Sequence, residues 1–262
     1  MTIRPITGIA LAIGFVFSAP LAAWAASDVD PLDSVDWQDI LDVEFDGASV
    51  VYDESMHLVV PDRVEEAFSV PVVMNFVETP YQVTEIALFA ENNPFPTIAR
   101  IFPQRPLNAV GFNIRLEQST AVRVAAMDAD GVWHVVSREV HVASPGGCSA
   151  AGGANGALAL GEIATKQFAR ADGDSRLKVR IGHPMHTGLV LDPYGDAIPE
   201  YYIEQFSVSD ELGELASMHL TASIAADPVF MFELPDTQQS VRVNATDTEG
   251  DIFEFEDSPS AM

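Results

Sequence analysis

Two series of short apolar runs, separated by clusters of turn-forming residues, constrain the fold of this chain more than any other feature. The first series includes HLVVPDRV, SVPVVMNFV, VTEIALFAE, NAVGFNIRLE, TAVRVAAMD and VWHVVSREVHVAS. The second includes RLKVRIGHP, EYYIEQFSVSD, LASMHLTASI, PVFMFELP, QSVRVNATD and DIFEFED. The runs are rich in Val, Ile and Phe, and some alternate between two faces, as half-buried strands do. Because no helical periodicity intervenes, each series predicts an antiparallel β-sandwich.

The segment between the two series has a composition that does not build a packed core. Residues 144–157 are almost entirely Gly, Ala, Ser and Asn, which is typical of a flexible tether. We therefore predict an all-β chain of two sandwich domains joined by a Gly/Ala-rich linker. The predicted divisions are an acidic segment at 26–46, a first sandwich at 47–143, an arm and linker at 144–174, a second sandwich at 175–257 and a tail at 258–262.

A short internal repeat favours related topologies for the two predicted domains. VRVAAMDADG at 122–131 and VRVNATDTEG at 241–250 share Val-Arg-Val, an alanine, an aspartate and an acid-Gly pair in register. Each predicts a strand that leads into a tight hairpin turn. The expected core residues are Phe68, Phe76, Ile86, Leu88, Val122 and Val124 in the first domain, and Phe206, Val208, Phe230, Phe232, Val241 and Val243 in the second.

The first 25 residues have the pattern of a secretory signal peptide. Arg4 precedes an apolar run, and Ala23-Trp24-Ala25 fits the small-residue cleavage motif. A retained membrane anchor is the alternative, but glycines and a proline interrupt the run and no basic flank follows it. We expect cleavage after Ala25 and export to the periplasm.

The chain is strongly acidic, with 39 Asp and Glu against 13 Lys and Arg and a formal net charge of −26. This balance excludes a nucleic-acid groove, which needs clustered positive charge. The field would steer a basic partner, although a plainly acidic secreted protein is the alternative. In the acidic N-terminal segment we predict a short helix near residues 34–41. Its aspartates lack the ordered pattern of a calcium loop, so a solvated segment is expected.

Cys148 is the one cysteine of the chain and lies in SPGGCSAAGGANG. A lone cysteine in an oxidising compartment has no partner in its own chain. A buried structural cysteine is the usual alternative, but its Gly and Ser neighbours offer no apolar side chains, so we expect an exposed thiol. The nearest basic residues in the sequence are Arg138 and Lys166, and no activating base is evident. The pattern favours an arm that presents a thiol over a catalytic cysteine.

The remaining motifs indicate neither a metal nor a cofactor. His183 and His186 lie three residues apart, but Pro184 and Gly188 argue against the helix that would bring them together. The sequence has no G-x-S-x-G, H-E-x-x-H, P-loop or dinucleotide-binding motif. We predict no metal site, no cofactor and no catalytic residue.

Both halves resemble one known family. HLVVPDRVEEAFSVPV, the N-N-P-x-P turn at Asn92–Pro96 and the arm VHVASPGGCSA resemble the Y subunit of the SoxYZ sulfur-carrier proteins. KVRIGHPMHTG, IPEYYIEQFSVS and DPVFMFEL resemble the Z subunit. The whole is similar to the single-chain SoxYZ-like carriers associated with quinoprotein dehydrogenases.

The resemblance implies two immunoglobulin-like sandwiches that pack on each other and a non-enzymatic carrier role, as in thiosulfate oxidation. Cys148 would hold the sulfur intermediate covalently, with Gly146 and Gly147 as the hinge of the arm. The implied partners are Sox-type or quinoprotein-linked periplasmic enzymes and cytochromes, in a system of pyrroloquinoline quinone (PQQ)-dependent alcohol oxidation.

This sequence departs from the family pattern in two places. The arm continues into the linker at Ser149 instead of ending the chain, and His186 stands where the Z subunit more often has an acidic residue. A different class of function also stays open, namely a non-covalent docking module for a quinoprotein dehydrogenase or its cytochrome.

Overall fold

A computed structural model describes residues 26–150, 158–170, 173–235 and 240–257. These residues form one helix and sixteen strands. The first half contains α1 (Val35–Glu44), β1 (Val50–Tyr52), β2 (His57–Val59), β3 (Arg63–Glu66), β4 (Val70–Asn75), β5 (Glu85–Ala90), β6 (Thr97–Pro103), β7 (Ala109–Ile114), β8 (Thr120–Met127) and β9 (Trp133–Ser144). The second half contains β10 (Ile163–Ala169), β11 (Ser175–Ile181), β12 (Ile203–Asp210), β13 (Gly213–Leu220), β14 (Val229–Leu234), β15 (Val241–Asp247) and β16 (Ile252–Asp257).

The strands form two sheets, and each sheet runs through both halves of the chain. The larger sheet has the order β1-β9-β8-β5-β6-β13-β12-β15-β16, with β3 also paired to β9. The smaller has the order β10-β11-β14-β7-β4-β2. Neighbouring strands are antiparallel except for β1 and β3, which run parallel to β9. The all-β, immunoglobulin-like fold predicted from the sequence is confirmed.

Two strand pairs, β6 with β13 and β7 with β14, join the halves. In the first, Ala99 lies opposite Leu220 and Pro103 opposite Ala216; in the second, three residues of each strand are paired. Sequence analysis expected two separate cores, but one apolar cluster contains residues of both halves, including Ile86 and Phe206. Backbone pairing across the boundary makes the sandwich continuous, which side-chain periodicity alone does not reveal.

Three strands, β1, β6 and β10, lie outside the predicted runs, and one expected core residue is wrong. β6 was not among the predicted strands, although it pairs the two halves, because Arg100 and the flanking prolines hide its apolar character. β10 lies inside the segment predicted to be linker, so the ordered second half begins before Ser175. Phe68 is only half-buried, and its neighbour Ala67 occupies the core instead. The other eleven expected core residues are buried.

The internal repeat forms two equivalent hairpins, as predicted. Asp128 directly follows β8, and its Oδ1 accepts the backbone N–H groups of residues 130 and 132, at 2.8 and 2.9 Å. Asp247 ends β15 and its Oδ1 accepts those of residues 249 and 251, at 3.0 and 2.9 Å. Gly131 and Gly250 follow with φ values of +83° and +85°, a conformation that favours glycine.

The acidic N-terminal segment is packed onto the first half and is not simply solvated. The helix predicted near residues 34–41 is confirmed as α1, and Ser34 caps it by accepting the Trp37 N–H at 3.4 Å. Trp37 is buried in a satellite cluster, and the guanidinium of the buried Arg123 binds both carboxylate oxygens of Asp30, at 2.6 and 2.8 Å. The described residues include no helix that is long and apolar enough to cross a bilayer.

Candidate functional site

Cys148 lies in a short segment after β9, residues 145–150, which we call the arm. The expectation of an exposed thiol is wrong: the side chain of Cys148 is fully buried. Its glycine neighbours contribute no cover, as the sequence indicated. The cover comes from residues distant in sequence, in a niche between the two halves of the chain, and local composition carries no information about them.

Hydrogen bonds that Glu117 and its neighbour Leu116 accept from the arm fix the arm in place. The N–H of Gly146 donates to the carbonyl of Glu117 at 2.7 Å, and the N–H of Gly147 donates to the carbonyl of Leu116 at 3.1 Å. The carboxylate of Glu117 then accepts the N–H groups of Cys148 and Ser149, each at 3.1 Å, and the Ser149 hydroxyl at 2.5 Å. One half-buried carboxylate therefore holds the cysteine backbone in place.

Close packing explains why both residues before the cysteine are glycine. A Cβ on Gly147 would overlap the carbonyl oxygens of Ala67 and Leu116. Gly146 has a φ of +106°, in the left-handed region that other residues rarely adopt. These contacts give the glycines a role in docking the arm. Their predicted role as a hinge stays a prediction.

The second half of the chain closes the niche from the other side. The hydroxyl of Thr187 donates to the carbonyl oxygen of Cys148 at 2.6 Å, and a hydrogen bond from the Ser223 side chain reaches the thiol. Thr187 and Ser223 are both buried. The cysteine site is thus assembled from both halves, and neither half alone would bury the thiol.

Electrostatics in the niche keep the thiol protonated. Burial raises the pKa of the Cys148 thiol to about 12, and the charge of Glu117 adds to the rise. Arg115 and the hydrogen bond from Ser223 partly oppose it. Since the thiolate is the nucleophile, the docked and protonated thiol is unreactive at neutral pH. The docked arm shields the thiol from chemistry.

Asn93, in the N-N-P-x-P turn, holds the strand end that receives the arm. Its side-chain amide donates to the carbonyl of Arg115 at 2.9 Å, and its oxygen accepts the Glu117 N–H at 2.9 Å. The Arg115 N–H in turn donates to the carbonyl of Ser223 at 2.7 Å. The turn that carries the family resemblance therefore positions the residues around Cys148.

The two histidines singled out in the sequence do not form a metal site. His183 is buried, with Nε2 3.5 Å from Oδ2 of Asp247, and burial lowers its pKa. His186 pairs through its backbone with Tyr201, and burial together with the charge of Arg115 lowers its pKa. Within the described ranges, no group of three or more His, Cys, Asp or Glu is placed to hold a metal ion.

Sequence reasoning missed Arg115, Glu117, Thr187 and Ser223 as site residues. It sought cations by distance along the chain and so considered Arg138 and Lys166. Arg115 follows the apolar run AVGFNI, but an arginine after a strand is ordinarily exposed, so it carried no specific signal. Thr187 and Ser223 carried none, since only the folded chain brings them to the arm.

Comparison with protein families identifies both halves of the chain. Residues 44–148 match the model of the sulfur oxidation protein SoxY, and residues 163–257 match the model of the sulfur oxidation protein SoxZ. The chain belongs to the SoxY and SoxZ families, joined in one polypeptide. The SoxY match ends at Cys148. SoxY and SoxZ proteins are carriers and not enzymes, which supports a sulfur-carrier role for this chain.

Solved structures add local similarities, and no curated protein matches the chain. The sulfur carrier protein SoxY from Chlorobium limicola f thiosulfatophilum matches at 21% identity, over 41% of this chain and 96% of that chain, with a TM-score of 0.35. A superoxide reductase (neelaredoxin) from Ignicoccus hospitalis matches at 17% identity, over 34% of this chain and 80% of that chain, with a TM-score of 0.29.

Proposed function

We propose that this protein holds a sulfur intermediate covalently on Sγ of Cys148 and presents it to partner enzymes. The observation that carries the proposal is the placement of the one cysteine of the chain. Cys148 ends the SoxY-matched region and lies on an arm held by hydrogen bonds, most of them to Glu117 and its neighbour. Each such bond contributes about 1 to 3 kcal/mol, the larger values applying to bonds with the charged carboxylate, and the proposed function requires the arm to leave its niche.

Release of the arm is a necessary step of this function. The docked thiol is fully buried, so neither a loading nor an unloading enzyme reaches the sulfur in this position. When the arm leaves, Cys148 regains an ordinary pKa of about 8.5 and a usable thiolate fraction. Partner enzymes supply the chemistry, and this chain supplies the thiol and the switch between shielded and presented states.

We further propose that the carrier works in the periplasm, with the quinoprotein-linked enzymes of PQQ-dependent alcohol oxidation among its partners. The signal-peptide pattern of residues 1–25, which lie outside the described residues, supports the location. The resemblance to carriers associated with quinoprotein dehydrogenases supports the partners.

The direct test is the intact mass of the protein isolated from its native periplasm without reductant, followed by peptide mapping. We expect a reductant-sensitive addition on the peptide that contains Cys148, with a mass that names the cargo. Cys148→Ser should lose the addition and abolish function in cells. A bare thiol in cells growing on alcohols and on reduced sulfur, or full function of Cys148→Ser, would contradict the proposal.

A second function, the non-covalent docking module, is favoured by the net charge of −26. Complementary charge accelerates association and makes it sensitive to salt. Capture of a dehydrogenase or cytochrome that is insensitive to thiol blocking but is lost at high salt would support this function in place of the carrier.

A further inference from the structure

Arg115 is a buried cation that none of the described acidic residues pairs with. Its residue is only 4% exposed, and its Nε is buried without a hydrogen-bond partner. One Nη2–H donates to the carbonyl of Pro184 at 3.2 Å. In the part of the chain that the structure describes, no carboxylate lies within ion-pair distance of Arg115, whereas the equally buried Arg123 is paired with both Asp30 and Glu91.

An unpaired buried guanidinium needs a physical reason. Removing a charge from water is costly unless an opposite charge or a full set of hydrogen bonds replaces the solvent. This chain has 39 acidic residues, so a carboxylate partner was readily available, yet none of those that the structure describes pairs with Arg115. Burial accordingly lowers the pKa of Arg115, and the strongest opposing influence is the charge that Cys148 would carry as a thiolate.

Arg115 and Cys148 share the same neighbours. The backbone N–H of Arg115 donates a hydrogen bond to the carbonyl of Ser223, and the side chain of Ser223 makes a hydrogen bond with the Cys148 thiol. The guanidinium of Arg115 donates a hydrogen bond to the carbonyl of Pro184. Thr187, three residues further along the chain, donates its hydroxyl to the carbonyl of Cys148. Arg115 and the carrier sulfur therefore lie among the same neighbours, close enough for their charges to interact.

We propose that Arg115 is the anion-binding group of this niche and holds the anionic end of a group carried on Cys148. Arginine suits this role because its planar donors match the geometry of an oxoanion and its charge strengthens the hydrogen bonds. The inference rests on the proposed carrier function and adds the residue that recognises an anionic group on Cys148. A neutral or cationic group on Cys148 gains nothing from Arg115.

The cargo for the test can be installed without partner enzymes. Tetrathionate reacts with the Cys148 thiolate: Sγ bonds to one central sulfur, the central S–S bond breaks, and thiosulfate leaves with the electron pair. The thiol proton goes to solvent, the cysteine is oxidised and tetrathionate is reduced, which leaves Sγ–S–SO₃⁻. Methyl methanethiosulfonate gives the neutral Sγ–S–CH₃ and releases methanesulfinate. Intact mass confirms each adduct.

The measurement is the melting temperature of each adduct in the full protein and in three variants. In the unsubstituted protein, the anionic adduct should melt about 5 °C above the neutral one, as expected for charge-assisted hydrogen bonds in a niche. Arg115→Gln should abolish this difference and Arg115→Lys should retain part of it. Arg105→Gln is the matched control, because Arg105 is paired with Asp210 instead, and it should retain the full difference.

Comparing adducts within one variant separates anion binding from any general loss of stability. If Arg115→Gln does not fold, the Nε–H resonance of Arg115 in the unsubstituted protein gives a second readout, and it should shift downfield with the anionic adduct alone. The proposal would be overturned if the two adducts had the same melting temperature in the unsubstituted protein, or if the difference between them were unchanged in Arg115→Gln. It would also be overturned if the Nε–H resonance of Arg115 did not shift with the anionic adduct. The mass of the protein from its native periplasm tests the carrier function separately. A negative result for the role of Arg115 can therefore be told apart from a negative result for the carrier function.

Discussion

At the scale of single residues, the niche and not the arm sets the reactivity of Cys148. Docking raises the pKa of the thiol to about 12, mainly by burial, while a released arm has a thiol pKa of about 8.5. The docked state therefore binds the proton more tightly. Its preference for docking is fully present below about pH 8.5 and is lost as the pH rises toward 12.

This difference predicts an unusual pH profile for alkylation by iodoacetamide. The reaction proceeds through the released thiolate, so in the native protein its rate should rise about tenfold per pH unit from pH 7 to 10. The chain denatured in guanidinium should level off above about pH 9, as an ordinary cysteine does. A native rate that levels off near pH 8.5 would show that the thiol is already free.

At the scale of structural elements, the arm is held chiefly by the end of β7 and the residues that follow it. Glu117 contributes its carbonyl and both carboxylate oxygens, and Gly147 allows the arm to approach within contact of Leu116. The carboxylate raises the pKa of the Cys148 thiol and also fixes its backbone. Its hydrogen bonds therefore favour docking, and its charge keeps the docked thiol protonated.

Glu117→Gln should release the arm more often. The amide keeps one acceptor oxygen but loses the charge that strengthens the hydrogen bonds, so alkylation of Cys148 at pH 7.5 should become about tenfold faster. Glu65→Gln is the matched control: it removes the same charge from an exposed position on β3 and should leave the rate unchanged. Equal rates in Glu117→Gln and the unsubstituted protein would mean that Glu117 does not hold the arm.

At the scale of the whole molecule, the two halves behave as one folding unit because both sheets and the main core are continuous. The junctions β6–β13 and β7–β14 are backbone ladders, and the main apolar cluster contains residues of both halves. Such shared structure should unfold cooperatively in a single transition.

We expect the halves to remain associated when the covalent link between them is cut. A protease site inserted between residues 151 and 157 should yield two fragments that coelute in size exclusion and lose stability only through the lost effective concentration. The uncut insertion protein is the control and should unfold in one transition. Separation of the fragments, or two transitions before cleavage, would show that the halves are independent.

Much of the fold follows from local pattern. Period-two runs identified most strands, and the aspartate and glycine of each repeat fixed the two equivalent hairpins, because turn chemistry is local. The lone cysteine in its glycine-rich context was likewise visible in the sequence, as was the turn that contains Asn93. β6 escaped detection because its role depends on pairing with β13, more than a hundred residues away.

By itself, the sequence determined an all-β chain with two related halves and one distinctive thiol. Only the tertiary structure decided that the halves share both sheets, that Cys148 is buried, and that Arg115 is buried near it without a carboxylate partner among the described residues. The reason is physical: strand periodicity and turns are set by neighbouring residues, whereas burial and charge pairing depend on groups that meet after folding. The glycines beside Cys148 indicated that the arm cannot bury the thiol by itself. Residues of both halves, which form the niche, bury it instead.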